Sequence, residues 1–159
     1  MTRLFVGVFP PAPHLEALRG ALPADSRLTP IEKWHLTLVF LGEVPTSAVM
    51  PLLADVPSPG PFQLRLSGGG QFGTAAWAGV DGDVTQLSEL REDVREALTL
   101  GGFPSDDRPF RPHLTVSYKS DGAIRRALAG YQGEPWPVTS FALVSSAEGR
   151  YDEVASWPL

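Results

Sequence analysis

The chain has 159 residues, 43% of them hydrophobic, no cysteine, and a formal net charge of −5 at pH 7. That length is typical of one domain with a sizeable core, and the missing cysteines exclude disulfides and thiolate metal sites. Proteins that bind long nucleic acids are usually basic, because neutralised phosphates supply their affinity, so this composition favours a small substrate or one nucleic-acid end.

The first third of the chain shows strand and helix periodicity in alternation. The predicted strands are residues 4–9 and 34–41, and the predicted helices are 15–22 and 46–53. Thr46 is the candidate N-cap of the second helix. The Pro- and Gly-rich residues 57–61 form a connector, which we interpret as a candidate boundary between two lobes.

The remainder of the chain continues the alternation. The predicted strands are residues 62–66, 75–80, 110–118, 138–144 and 151–157, and the predicted helices are 87–98 and, more weakly, 121–128. We interpret the run Gly68-Gly69-Gly70 as a loop between the first two of these strands. No glycine pattern of a dinucleotide fold accompanies the elements, so we expect an α+β protein with helices packed outside antiparallel or mixed sheets.

The N-terminal segment is apolar but short. Pro10, Pro11 and Pro13 follow it closely, which leaves too little apolar length for a signal peptide. No other run approaches the roughly 20 apolar residues of a membrane span. We therefore expect a cytoplasmic protein, a monomer, with no membrane partner.

Two of the three histidines begin the same four-residue pattern. The two copies are His35-Leu36-Thr37-Leu38 and His113-Leu114-Thr115-Val116. Strand side chains alternate between faces, so His and Thr of each copy share one face. Simple alternation in the second strand extends that face to Arg111, Ser117 and Lys119, and a polar, cationic face of this kind is typical of an anion-binding cleft.

Paired histidines and threonines suit the opening of a cyclic phosphodiester. The reaction needs a base that takes a proton from water and an acid that protonates the departing oxygen. Imidazole, with a pKa of about 6.5, can act as either near neutral pH. Threonine hydroxyls can bind the non-bridging phosphate oxygens, so this chemistry requires neither a metal nor a cofactor.

Four other interpretations stay open at this point. The histidines could be structural residues bonded to nearby hydroxyls, or they could belong to a non-catalytic module that binds RNA ends. They could also ligate a metal, although no third ligand at a usual zinc spacing follows either one. The substrate could be a different small cyclic phosphate. His14 has no partner pattern, and we expect it to be a solvated surface residue.

The chain resembles the 2H phosphoesterase superfamily and, more narrowly, the RNA 2′,3′-cyclic phosphodiesterases, also called 2′,5′-RNA ligases. The two His-x-Thr-x copies carry the resemblance, together with segments at both ends and after the long predicted helix. These segments are Arg3-Leu4-Phe5-Val6, Val39-Phe40-Leu41-Gly42, Gly101-Gly102-Phe103, Arg111-Pro112, Tyr151 and Trp157-Pro158-Leu159.

The resemblance implies a fold, an activity and residue roles. Residues 1–159 would form a single α+β domain of two similar lobes of mostly antiparallel sheet around a central cleft, each lobe giving one His-x-Thr-x strand. The implied reaction converts a 2′,3′-cyclic phosphate on an RNA end, tRNA fragment or small nucleotide to a 2′-phosphate. Reversible 2′,5′ ligation without a nucleotide cofactor is also implied.

The resemblance likewise implies site residues. His35 would be the proton donor to the leaving 3′ oxygen and His113 the proton acceptor from water, with Thr37 and Thr115 binding phosphate. Many relatives carry an arginine five residues after the second histidine, where this chain has Tyr118. We expect Lys119 or Arg111 to supply that cation, or Tyr118 to stack on a base, although lysine lacks the planar fork of arginine.

Overall fold

Two four-stranded sheets form the framework of the computed structural model, which describes residues 1–105 and 107–159. The strands are β1 (Thr2–Val8), β2 (Leu36–Val44), β3 (Phe62–Phe72), β4 (Ala75–Gly82), β5 (His113–Ser117), β6 (Trp136–Val138), β7 (Ser140–Ala147) and β8 (Arg150–Pro158). The helices are α1 (Ala12–Ala21), α2 (Thr46–Ala54), α3 (Val84–Leu100) and α4 (Gly122–Ala129), with a 3₁₀ turn at Ile31–Lys33.

In each sheet the strand at one edge follows its neighbouring strand in the chain by way of a helix: α1 connects β1 to β2, and α3 connects β4 to β5. The strand orders are β2-β1-β7-β8 and β5-β4-β3-β6, and each pair of neighbouring strands in them is antiparallel. The chain enters the second sheet after residues 57–61 and returns to the first with β7 and β8. The predicted α+β architecture of two mostly antiparallel lobes is confirmed. The edge strands β2 and β5 contact each other, which brings the two His-x-Thr-x copies to one place.

One hydrophobic core joins the two sheets and their helices. In α3 the predicted stripe is fully buried at Leu87, Leu90, Val94 and Leu98. Each such side chain contributes about 1.5–3 kcal/mol relative to an exposed one. A smaller cluster on the other face of the first sheet contains Phe5 and Val144, with Tyr151 packed against it, and this face borders the site.

Three predicted elements differ in the structure. Residues 138–144 were predicted to be one strand, but Thr139 separates β6 from β7, which lie in different sheets. The strand predicted at residues 110–118 is shorter in the structure, where β5 covers His113–Ser117. The strand predicted at residues 34–41 lies further along the chain, where β2 covers Leu36–Val44. Thr46 is the first residue of α2 rather than its cap, since Pro45 occupies the N-cap position.

The triple-glycine run is part of β3 and not a loop. A Cβ on Gly70 would lie 2.5 Å from the ring of Trp77, and a Cβ on Gly69 would lie 2.7 Å from Leu128. Glycine is therefore required here for close packing across the sheet rather than for a turn. The turn falls later, between Phe72 and Ala75, where Gly73 has a positive φ of 58°.

Candidate active site

Both copies of the motif border a cleft of about 550 Å³ between β2 and the segment that leads into β5. Thr37 and His113 line this cleft, whereas His35 and Thr115 are not among its described lining residues. The positive charge of His113 contributes to lowering the pKa of His35, so the two imidazoles lie within electrostatic range of each other. The structure thus brings the predicted pair to one region.

The two histidine rings are oriented in the same way. Nδ1 of His35 lies 2.7 Å from the carbonyl oxygen of Lys33, and Nδ1 of His113 lies 2.7 Å from that of Arg111. A carbonyl oxygen can only accept a hydrogen bond, so Nδ1 carries the proton in the neutral ring. In both histidines Nε2 is then the nitrogen that can take up or release a proton.

The first motif is closed by a bond between its two polar residues. Nε2 of His35 lies 2.7 Å from Oγ1 of Thr37, which in turn lines the cleft. The hydroxyl can donate to the neutral imidazole or accept from the protonated one. The Thr37 hydroxyl therefore connects Nε2 of His35 to the cleft.

Three aromatic rings enclose His35. Phe5 and Phe9 stack on the imidazole at centroid distances of 4.6 and 5.4 Å, and Tyr151 meets it edge-on at 5.4 Å. Burial lowers the pKa of His35 below 6.5, the carbonyl of Lys33 opposes this effect, and the charge of His113 adds to it. His35 is thus predominantly neutral at pH 7 in the free protein.

His113 has a more open environment. Phe72 meets its ring edge-on at 5.1 Å, and Trp77 lies at 5.8 Å with a tilt of 55°. Trp77 is the residue that packs over Gly70. The sequence analysis did not identify Phe72 and Trp77 as site residues. The run Gly68-Gly69-Gly70 could have indicated that a large ring packs against this part of the strand.

A β-bulge follows the threonine in each motif strand. In β2 the register with β1 skips Leu38, and in β5 the register with β4 skips Val116, which is the same fourth position of each motif. A bulge reverses the alternation beyond it. The bulge at the fourth motif position, Leu38 in β2 and Val116 in β5, is thus a shared feature of the two lobes.

The bulge in β5 corrects the expected faces of that strand. Ser117 is 0% exposed and donates to the carbonyl of Arg27, so it faces the core rather than the histidine side. Tyr118, which is 61% exposed, then takes the His113 face that simple alternation gave to Lys119. Phe40, 72% exposed, is the equivalent residue in β2 and lines the cleft.

Arginines rather than Lys119 line the cleft. Arg91, Arg108 and Arg111 are all among its lining residues. Nε of Arg91 donates to the carbonyl of Leu38 at 3.3 Å, so α3 supports the bulge of the first motif strand. Our sequence reasoning missed Arg91 and Arg108. Arg91 could have been identified from its position in α3, where it directly follows Leu90 of the apolar stripe. The contacts described for Lys119 are those of its backbone, which donates to Ser117 Oγ.

His14 lies away from this site. It is partly buried, and its ring is 5.5 Å from that of Trp136, so it is a surface residue that is less solvated than expected. Within the two described ranges, no group of three or more His, Asp or Glu side chains is arranged to hold a metal ion. Among the same residues, no helix is long and apolar enough to cross a membrane.

Comparisons with known proteins agree with this architecture. The family model described as the 2′-5′ RNA ligase superfamily matches residues 8–150. An RNA 2′,3′-cyclic phosphodiesterase of Geobacillus stearothermophilus is 34% identical over an alignment of 145 residues, with 80% of this chain and 46% of that protein covered. The chain therefore spans about half the length of this relative. The protein of the same name from Thermus thermophilus is 36% identical, with 91% of this chain and 81% of that protein covered.

Solved structures extend the similarity to the whole fold. Apo LigT of Escherichia coli aligns with a TM-score of 0.82 at 28% identity, covering 99% of this chain and 97% of that one. The protein TT0787 of Thermus thermophilus aligns with a TM-score of 0.79, also at 28% identity, over 99% and 97% of the two chains. A further structure of E. coli LigT is complexed with 3′-AMP and has a TM-score of 0.78 at 27% identity, again covering 99% and 97%.

Proposed function

This chain belongs to the 2′-5′ RNA ligase superfamily, and we propose on that basis that it hydrolyses 2′,3′-cyclic phosphates at RNA 3′ ends to 2′-phosphates. The observation that carries the proposal is the matched orientation of His35 and His113, both with Nδ1 held by a backbone carbonyl and Nε2 left for proton transfer. Relatives that are named RNA 2′,3′-cyclic phosphodiesterases support the same reaction class.

The proposed reaction is an in-line displacement at phosphorus. Nε2 of His113 takes a proton from water as the water oxygen forms a bond to phosphorus. The bond from phosphorus to O3′ breaks, and O3′ receives a proton from Nε2 of His35. The product carries a 2′-phosphate and a free 3′-hydroxyl; His35 has lost one proton to O3′, and His113 has gained one from the attacking water.

His35 must hold a proton for this role, although burial lowers its pKa in the free protein. A bound phosphodiester anion beside the imidazole favours the charged form and so opposes that effect. We infer that His35 is protonated together with substrate binding. The phosphate is held by the hydroxyls of Thr37 and Thr115, with a guanidinium from the cleft wall stabilising the charge that develops.

Arg111 is the cation that the geometry favours for this purpose. It lines the cleft beside His113, and its carbonyl orients the His113 ring. Tyr118 shares the His113 face and offers its ring to a base or ribose, while Lys119 is a weaker candidate because of the bulge.

The same site would join RNA ends if an alcohol replaced water. A 5′-hydroxyl of a second RNA would attack the cyclic phosphate and give a 2′,5′ linkage, and the reverse reaction would regenerate the ends. Neither reaction as written uses a metal or a nucleotide cofactor. We propose that RNA ends, tRNA fragments and small cyclic nucleotides are the partners of a cytoplasmic monomer.

A comparison of substrates tests this proposal. Hydrolysis rates are measured on nucleoside 2′,3′-cyclic phosphates and on short RNA with a cyclic 3′ end, and the products are identified by chromatography. We expect 2′-phosphate products from both. Tight binding without any single-turnover product would instead identify a non-catalytic module that binds RNA ends.

A further inference from the structure

A second hollow lies against the aromatic enclosure of His35. Its volume is about 300 Å³, and its wall includes Arg3, Phe5, Phe40, Glu43, Ser146 and Tyr151. We refer to it as the Arg3 hollow. Phe40 also lines the catalytic cleft, and both Phe5 and Tyr151 touch the His35 ring. The hollow is therefore separated from the catalytic histidine only by aromatic side chains.

The strand β1 directs a cation into this hollow. Arg3 and Phe5 are two residues apart on β1, so they share the face that carries the His35 enclosure. Arg3 forms none of the ion pairs found among the described residues. Burial and then the Tyr118 hydroxyl raise the pKa of Tyr151, and the charge of Arg3 opposes them, so Arg3 lies near Tyr151. An exposed guanidinium beside an aromatic wall is suited to a phosphate group.

The chemistry of the proposed reaction determines on which side the RNA lies. O3′ leaves toward His35, and water must approach from the opposite side, where His113 stands. The ribose that carries O3′ is thus on the His35 side. All nucleotides 5′ to that ribose continue from it, so the body of the RNA emerges beside the Arg3 hollow rather than beside His113.

We propose that the Arg3 hollow binds the phosphodiester on the 5′ side of the terminal nucleoside, with Arg3 as its cationic partner. This inference rests on the proposed function, and in particular on His35 as the proton donor. The subsite selects an RNA end over a nucleoside cyclic phosphate, because only the RNA has a phosphate at that position. Glu43 lies opposite Arg3 in the register of β1 and β2. Its negative charge repels a bound phosphate and so limits the affinity of the hollow for the anion.

The test compares three substrates that differ only at the 5′ side. They are adenosine 2′,3′-cyclic phosphate, its 5′-phosphorylated form, and the dinucleotide ApA with a 2′,3′-cyclic phosphate. We expect kcat/KM to be about 3- to 10-fold higher for the second and third than for the first, as for a partly exposed charge-assisted contact. Arg3→Gln should remove this preference while leaving the first substrate within about twofold of wild type.

Two further variants complete the experiment. Glu43→Gln should increase the preference, because a repulsive charge is removed. Arg150→Gln is the matched control, since Arg150 is an exposed arginine of the same sheet that pairs with Asp152 outside the hollow. It should leave all three substrates unchanged.

Three results would overturn the inference. Wild type could show no preference, Arg3→Gln could slow all three substrates equally, or the preference could be lost in Arg111→Gln instead, which would place the RNA along the opposite wall. A readout without turnover separates this inference from the proposed function. Adenosine 2′,5′-bisphosphate should bind more tightly than 2′-AMP, and only Arg3→Gln should equalise their dissociation constants.

Discussion

Nε2 of His35 lies 2.7 Å from the hydroxyl oxygen of Thr37 in the free protein. The nitrogen proposed as the proton donor is thus already bonded to the hydroxyl proposed as a phosphate ligand. When a phosphate enters, this hydroxyl can bind a non-bridging oxygen while the imidazole turns its proton toward O3′. The two roles therefore depend on each other geometrically.

Thr37→Val is expected to raise KM and to lower kcat together. Valine keeps the β-branched shape, but it removes the hydroxyl that links His35 to the cleft. Steady-state kinetics on adenosine 2′,3′-cyclic phosphate measure both parameters. Thr139→Val serves as a control, because Thr139 lies between β6 and β7 and outside the cleft. A Thr37→Val enzyme with wild-type kinetics would contradict any role for this hydroxyl.

His35→Ala and His113→Ala are each expected to lower kcat by about 10²–10⁴-fold, the usual contribution of general acid or base catalysis. The double variant should lose less than the product of the two effects, because both residues act on one transition state. His14→Ala is the matched control, since it lies against Trp136 away from the cleft. Equal damage from His14→Ala would show that the site has been assigned wrongly.

The rate should depend on pH with a bell shape. His113 must be neutral, so activity falls at acid pH, and His35 must be protonated, so activity falls at alkaline pH. Because burial lowers the pKa of His35 below 6.5, the alkaline limb of kcat/KM should begin below that value. In the kcat profile the limb should move upward, since the bound anion raises that pKa.

The pH dependence is measured from about pH 4.5 to about pH 9 with one cyclic nucleotide at constant ionic strength, a range that extends about two units to either side of the ordinary imidazole pKa. The Phe9→Leu variant removes one of the stacked rings and should shift the alkaline limb of kcat/KM upward, because His35 is then better solvated. A rate that keeps rising through alkaline pH would be incompatible with an acid role for either histidine.

The first copy of the motif shows how far sequence reasoning reached. Alternation correctly placed His35 and Thr37 on one face, because the bulge at Leu38 comes only after them. It failed at Ser117 and Tyr118, because a bulge depends on the register with a neighbouring strand that the local pattern does not contain. Gly70 was wrongly predicted to lie in a loop for a similar reason, since the ring that needs its space comes from β4.

The helices and the overall architecture could be predicted more completely than the faces of the strands. The stripe of α3 is periodic over the length of the helix, and its burial does not depend on pairing details. The separation of β6 from β7 could not be foreseen, because no glycine or proline within residues 138–144 marks the change from one sheet to the other. The catalytic roles of His35, His113, Thr37 and Thr115 stay predictions until they are tested.

Arg111→Gln is expected to lower kcat/KM by about 10-fold or more, because a charge-assisted bond to phosphate contributes roughly 1.5–3 kcal/mol. Lys119→Gln should have a smaller effect, since the bulge turns this residue away from the His113 face. Both are measured on the same cyclic nucleotide, with Arg19→Gln as a surface comparison, since Arg19 pairs with Glu16 outside the cleft lining. If Lys119→Gln proved crippling while Arg111→Gln retained wild-type activity, the cation would be Lys119, as simple alternation predicted.

The most direct test of the two-histidine account is a single-turnover reaction in ¹⁸O-labelled water with excess EDTA. Adenosine 2′,3′-cyclic phosphate is the substrate. The product is separated by chromatography, and its mass is measured by mass spectrometry. The account predicts 2′-AMP with one ¹⁸O atom on phosphorus, formed at the same rate with and without the chelator. Formation of 3′-AMP, or turnover that stops in EDTA and resumes only when zinc or manganese is added, would contradict it.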